Sequence, residues 1–223
     1  MDELDELDLK NLFSKSLLAG LCLGLGVMCS SIIPSTLIQS IVISVIFMGI
    51  MELNYPLYTV KCGDSRVMTT IAGYSTPDIF ILKLFIKKII PGNFIGIIIS
   101  TLCAILIFNS DSIAINEFGF DSGMSWWRII LSSILTGFIL DLGTRSFYKT
   151  RSRWLMLSVL FIVTVSGLNH SLLDLLKVVY GWTNSALDII TGLKIVILST
   201  LGNFWGSRLR TLLIKEEDDS KNK

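Results

Sequence analysis

Long uninterrupted apolar blocks, rather than an alternation of apolar and polar positions, dominate this chain. Residues 17–33, 37–51 and 94–108 contain no Lys, Arg, Asp or Glu. Crossing a hydrocarbon core takes roughly 20 apolar residues as a helix, and these blocks come close to that length with their flanks included. The pattern predicts a first span over residues 15–33, closed by Pro34, and a second over 36–51. Glu52-Leu53-Asn54-Tyr55-Pro56 interrupts the second, because Pro56 lacks an N–H and disfavours helical geometry at Tyr55. Residues 61–66 are polar. Ser75-Thr76-Pro77-Asp78 reads as a helix start, 79–88 as an amphipathic approach and 91–108 as the third span. Residues 109–125 form a polar connector. Further spans are predicted over 126–142, 154–165 and 189–213. Trp126, Trp127 and Trp154 are placed as interfacial anchors.

Composition agrees with membrane insertion. The chain is 52% hydrophobic and 17% charged, where a soluble domain devotes about a quarter of its residues to charge. A net charge of +1 creates no global field for nucleic acid or an acidic substrate. The acidic opening, Met1 to Asp8, is unlike a cleavable signal, so the first span is expected to act as its own insertion signal. Residues 1–14 are read as a cytoplasmic segment, 15–214 as one membrane domain and 215–223 as a disordered cytoplasmic tail. Cys22, Cys29, Cys62 and Cys103 form no C-x-x-C pair and are read as small packing residues.

Basic residues fix the expected orientation. Lys61, Arg66, Lys83, Lys87 and Lys88 lie between the second and third spans; Arg145, Lys149, Arg151 and Arg153 lie between the fourth and fifth; Arg208, Arg210 and Lys215 end the sixth. The connectors after the first and third spans have no Lys or Arg. The positive-inside rule then places both termini in the cytoplasm with six crossings. Arg128 and Lys177 fall on the other side as isolated charges. Asp141, near Arg145, is read as a locally paired interfacial charge.

An internal repeat adds a constraint. Gly92-Asn93-Phe94-Ile95-Gly96 returns as Gly202-Asn203-Phe204-Trp205-Gly206. Upstream of each copy lies an interrupted span, at Leu53-Asn54-Tyr55 and at Leu168-Asn169-His170. Three crossings separate the copies, so the repeats, about 15–108 and 126–214, enter the membrane with opposite orientation. Paired breaks in inverted halves point to a substrate site at the midplane.

His170 is the only histidine. An ionisable side chain at this depth costs about 2.5 kcal/mol or more if it faces lipid, so it is expected to face a cavity or a partner. Broken helices expose backbone N–H groups that can hold an anion. Imidazole titrates near physiological pH and can give a weak-acid anion the proton that lets it pass apolar constrictions as the neutral acid.

These residues resemble the formate/nitrite transporter family of anion channels. Lys15-Ser16-Leu17-Leu18-Ala19-Gly20 with Gly24 and Gly26 looks like its glycine-rich first helix. Glu52-Leu53 matches the acidic-Leu pair of its first re-entrant loop, and the repeated Gly-Asn motifs match its third and sixth helices. Ser166-Gly167-Leu168-Asn169-His170-Ser171 is similar to the family's Ser-Gly-Phe-Glu-His-Ser. The chain departs at Asn169, where the family has Glu; at Tyr55, where it has Thr; and at Asp174, where it has Asn.

The resemblance implies an all-α membrane protein with six transmembrane helices in two inverted three-helix repeats, the second and fifth broken, aquaporin-like in plan. It implies a homopentamer in the bacterial inner (cytoplasmic) membrane, with the lipid bilayer and small monovalent anions as partners, no nucleic acid and no cofactor. His170 would be the central pore histidine and Asp174 a neighbouring acid able to tune it. Asn93 and Asn203 would brace the loops, and Leu53 and Leu168 would form the constriction. Asn169 and Tyr55 would complete the pore. The expected activity is a channel or proton-coupled transporter for formate, nitrite, lactate or hydrosulfide. Two alternatives stand beside it: a transport-inactive or regulatory membrane subunit, and a channel for small neutral solutes. A membrane-embedded enzyme is disfavoured by the lone histidine and the lack of a paired metal-ligand or Ser-centred glycine motif.

Overall fold

Helices α1 (Leu12–Ser30) and α2 (Thr36–Glu52) open the computed structural model, which describes residues 11–61, 85–108, 125–150 and 152–213. After a first break comes the short α3 (Tyr58–Lys61), described only to Lys61. A π-helical turn, Phe85–Ile89, runs directly into α4 (Ile90–Ile107). The second half consists of α5 (Trp126–Thr150), α6 (Arg153–Val165), α7 (Ser171–Thr183) and α8 (Ile189–Leu213). No strand occurs among the described residues.

Among the described residues, four segments are long and apolar enough to cross a membrane: Leu12–Ser30, Phe85–Ile107, Trp126–Thr150 and Ile189–Leu209. The other two crossings are composite. Helices α2 and α6 have 17 and 13 residues, about 25 and 20 Å at 1.5 Å per residue, short of a core about 30 Å thick. Each is followed by a break and a second helix, α3 or α7. The fold is thus all-α, with six crossings in two inverted three-helix repeats whose second and fifth members are broken.

Two boundaries and one whole element differ from the sequence expectation. The third span is already helical from Phe85, with Pro91 at the start of α4; the wider π turn accommodates a residue with no N–H to return to the ladder. Helix α5 runs to Thr150 rather than ending at 142, its last turn carrying Lys149, a cation at the negative end of the helix dipole. Helix α7 was not expected as an element. The helix start at Ser75–Asp78, the connector 109–124 and the termini, residues 1–10 and 214–223, lie outside the described residues.

Helix α1 packs along α4, and α5 along α8. A Cβ on Gly20 would run into the Asn93 carbonyl oxygen, and one on Gly137 into the Asn203 carbonyl oxygen. The two contacts occupy equivalent places in the two halves. Helices α2 and α6 run antiparallel, tied at both ends. At one end Arg153 donates to both oxygens of Glu52, at 2.8 and 3.0 Å; at the other the Thr164 hydroxyl reaches the Ser40 carbonyl at 3.4 Å. An open cavity of about 540 Å³ lies at the Arg153 end, lined by Glu52, Phe147, Ser152, Arg153 and Trp154.

Asp141 is buried and pairs with Arg145 at 3.1 Å. Trp126, Trp127 and Trp154 are exposed, as anchors would be. Cys22, Cys29 and Cys103 are also exposed. They face outward from their helices instead of packing between them, because the close contacts are taken by glycine and serine.

The close approach of α5 and α8 is testable. Gly137→Ala should lower the unfolding midpoint in detergent, with a cost of about 1–3 kcal/mol for overpacking; an unchanged midpoint would mean the helices have room for a methyl group.

Candidate functional site at the two breaks

Both breaks are made by one residue in the left-handed region. Asn54 has φ 54° and Gly167 has φ 62°. At the end of α2 the Tyr55 N–H reaches back to the Ile50 carbonyl at 3.1 Å and the Asn54 N–H to Met51 at 3.0 Å, the paired bonds that close a helix through such a residue. At the end of α6 the Gly167 N–H bonds the Thr164 carbonyl at 3.3 Å. Gly adopts this conformation without steric cost, and Asn tolerates it.

The chain beyond each break is held by an asparagine from the following span. Asn93 donates to the carbonyls of Ser16 at 2.7 Å and Pro56 at 2.9 Å, and accepts from the Tyr58 N–H at 2.8 Å. Asn203 donates to the carbonyls of Ser133 at 2.8 Å and Asn169 at 3.3 Å, and accepts from the Ser171 N–H at 2.9 Å and hydroxyl at 2.8 Å. All three bonds of Asn93 have a counterpart at Asn203, which adds the Ser171 hydroxyl. Ser16 matches Ser133, Pro56 matches Asn169 and Tyr58 matches Ser171.

This correspondence corrects the register of the repeat. Leu53-Asn54-Tyr55 does not align with Leu168-Asn169-His170; the true register is displaced by two residues. Asn54 aligns with Gly167, Tyr55 with Leu168, and Leu57 with His170. Leu57 is buried, like His170. The side chains of the matched pair Tyr58 and Ser171 meet, hydroxyl to hydroxyl, so the starts of α3 and α7 touch where the two halves join.

His170 is the residue before α7 and is 1% exposed. Its ring stands edge-on to Phe47, centroids 5.6 Å apart at 81°. Neither ring nitrogen has a hydrogen-bond partner among the described residues. The adjacent Asn169 is anchored through its N–H to the Ser132 hydroxyl at 2.8 Å, and its side-chain amide donates to Asp174 at 3.1 Å. Asp174 donates its backbone N–H to the His170 carbonyl at 2.8 Å, and no hydrogen bond joins its carboxylate to the His170 ring. Lys177, one turn further along α7, is close enough to act electrostatically on the Asp174 carboxylate. Lys177 is 8% exposed, not the isolated outer charge that hydropathy suggested. A charge is rarely buried this fully without a partner.

The structure gathers Asn93, Asn203, Asn169, His170 and Asp174 around the breaks. Leu53 is 61% exposed and stands apart from them, while Leu168 and Tyr55 are half-buried. Lys177, Tyr58 and Phe47 escaped the sequence reading. An Asp-x-x-Lys spacing inside an apolar run was the one signal for Lys177; nothing local marks Phe47.

The family model described as formate/nitrite transporter matches residues 2–215. No curated protein sequence matches the chain significantly. Among solved structures, the chain is similar to an "FNT family ion channel", at 15% identity and TM-score 0.71, covering 90% of this chain and 86% of that one. It is also similar to a "Pentameric formate channel with formate bound", at 14% identity and TM-score 0.72, covering 94% and 96%.

The asparagine braces yield a graded expectation. Asn203→Ala removes the partners of several buried backbone groups, at about 1–3 kcal/mol for each left unsatisfied, and should sharply lower the detergent unfolding midpoint. Asn203→Asp keeps the acceptor for Ser171 and loses both donated bonds, so its midpoint should fall between the two. Equal midpoints for wild type and Asn203→Ala would contradict the bracing.

Proposed function

The chain belongs to the formate/nitrite transporter family, and on that premise we propose that it carries small monovalent anions of weak acids across a membrane. Formate, nitrite, lactate and hydrosulfide are the candidate permeants, moved by a channel or by a proton-coupled carrier. The observation that carries this reading is His170. A fully buried imidazole with two unpartnered nitrogens calls for an explanation. It lies at the second break, where two half-helices meet, and a permeant passing there meets a group able to donate or accept a proton. Asn169 and Asp174 surround it from the α7 side, and Asn93 and Asn203 hold the loops in place. Tyr55, Leu53 and Leu168 are assigned to the permeation path on the family resemblance.

A homopentamer is the proposed assembly, supported by the pentameric state of the similar formate channel and by exposed leucines and isoleucines such as Leu106 and Ile190. The proposed location is the bacterial cytoplasmic membrane with both termini cytoplasmic, supported by the distribution of Lys and Arg. No chemical turnover is assigned to the protein.

Purified protein in liposomes should move formate or nitrite down an imposed gradient; a flux equal to that of empty liposomes would overturn the transport reading. His170→Ala should reduce anion flux by roughly tenfold or more, as expected for losing a positioned proton donor, and flatten its dependence between pH 5 and 8. Unchanged flux with an unchanged pH profile would remove His170 from the mechanism. The mass of the detergent-solubilised protein should be five times that of the chain, and a monomer would refute the assembly.

A further inference from the structure

The His170 ring has no polar anchor among the described residues, and its one ring contact is edge-on with Phe47. Its placement therefore rests on that packing and on the backbone, which is extended there at φ −122° and ψ 115°. The peptide groups on either side are held. The Asn169 carbonyl accepts from the Asn203 amide at 3.3 Å, the Ser171 N–H donates to Asn203 Oδ1 at 2.9 Å, and the His170 carbonyl accepts from the Asp174 N–H at 2.8 Å. Whatever fixes the Asn203 carboxamide therefore also fixes His170.

The Ser171 hydroxyl donates to the same Oδ1 at 2.8 Å. A hydroxyl has one proton to give, so toward Tyr58 it is the acceptor and the Tyr58 O–H is the donor. One row of bonds thus runs from Tyr58 through Ser171 to Asn203, each polarising the next. The halves differ here. Ser171 gives its hydroxyl to the brace of its own half, whereas Tyr58, the matched residue, has its N–H on Asn93 at 2.8 Å and sends its hydroxyl across to the other half. The Tyr58 ring is buried edge-on against Phe85 and Phe94, with centroids 6.5 and 5.8 Å away, which leaves the hydroxyl little freedom to turn elsewhere.

We propose that Tyr58 is a positioning residue for His170. Its backbone belongs to the first brace, and its hydroxyl, through Ser171 and Asn203, holds the second. The two breaks are thereby locked to each other, and a displacement of the first loop pulls on the backbone that carries the imidazole. The consequence for flux rests on the transport reading; the link itself does not.

The lone histidine makes the link observable. Untagged protein grown on ring-labelled histidine gives imidazole nitrogen resonances from His170 alone. These would be recorded in detergent for wild type, Tyr58→Phe, Ser171→Ala and the double variant. Tyr58→Phe keeps the ring packing and removes only the donor. It should move the His170 resonances, and in the Ser171→Ala background the same change should move them no further. Resonances unmoved by Tyr58→Phe would overturn the proposal. So would an equal movement with and without the Ser171 hydroxyl, which would trace the effect to another contact of Tyr58. Where Ser171→Ala folds poorly, Ser171→Cys, similar in size and a weak donor, takes its place. In proteoliposomes Tyr58→Phe should lower the maximal formate rate about twofold to tenfold, the range of one neutral hydrogen bond, and leave the half-saturating concentration unchanged. A changed half-saturation at an unchanged rate would put Tyr58 on the permeant and overturn the positioning role. If wild type moves no formate while the resonances respond as described, the transport reading falls and the link stands. If formate moves and the resonances do not respond, the link falls and the transport reading stands.

Discussion

The structure depends on satisfying backbone polar groups where two helices stop inside a membrane. Water is absent at that depth, and irregular backbone survives only where protein supplies the missing partners. One carboxamide does so in each half. The side chains of Asn93 and Asn203 each donate twice and accept at least once, joining the first helix of the repeat to the chain just past the break. No other short side chain carries both functions in this geometry. The glycines follow from this requirement. For the carboxamide to reach the backbone of the neighbouring helix, the asparagine's own backbone must nearly touch Gly20 or Gly137.

Around these braces the second and fifth crossings divide the work. Helices α2 and α6 form an antiparallel strut with polar contacts at both ends, which keeps the two breaks at a fixed separation. Helix α7 carries Asp174 and Lys177 and is enclosed by α1, α4 and α8. Enclosure gives its charged groups a low-dielectric setting in which each interaction is strong and each unpaired charge is costly. The Asn169–Asp174 bond fixes the carboxylate beside the break, and Asn169 occupies a position where a second acid would repel it.

Much of this was legible in the sequence. Pro56 and the Ser166-Gly167 pair marked the breaks, and the repeated Gly-Asn-Phe motif marked the helices that support them. The register between the halves was not legible, because a left-handed residue can be Asn in one copy and Gly in the other, and only the hydrogen bonds of Asn93 and Asn203 reveal which positions correspond. Helix α7 was hidden because Asp174 and Lys177 break the hydropathy of a segment whose burial comes from neighbours distant in sequence. The exposure of Leu53 was not legible either, because spacing does not encode which way a loop side chain points. His170 stood out for the simplest reason: it is the only residue of its kind and lies within an apolar run.

The corrected register pairs His170 with Leu57. A scaffold with two matching halves treats passage in either direction alike, and here the scaffold is symmetrical while this pair of buried side chains is not. One half offers a titratable ring, the other a hydrocarbon. Microscopic reversibility forbids any net bias from this at equilibrium. On the proposed permeation path, once concentrations differ across the membrane, a particle meets imidazole before leucine from one side and after it from the other. Unequal unidirectional rates, a form of rectification, can then arise from one substitution between otherwise equivalent positions.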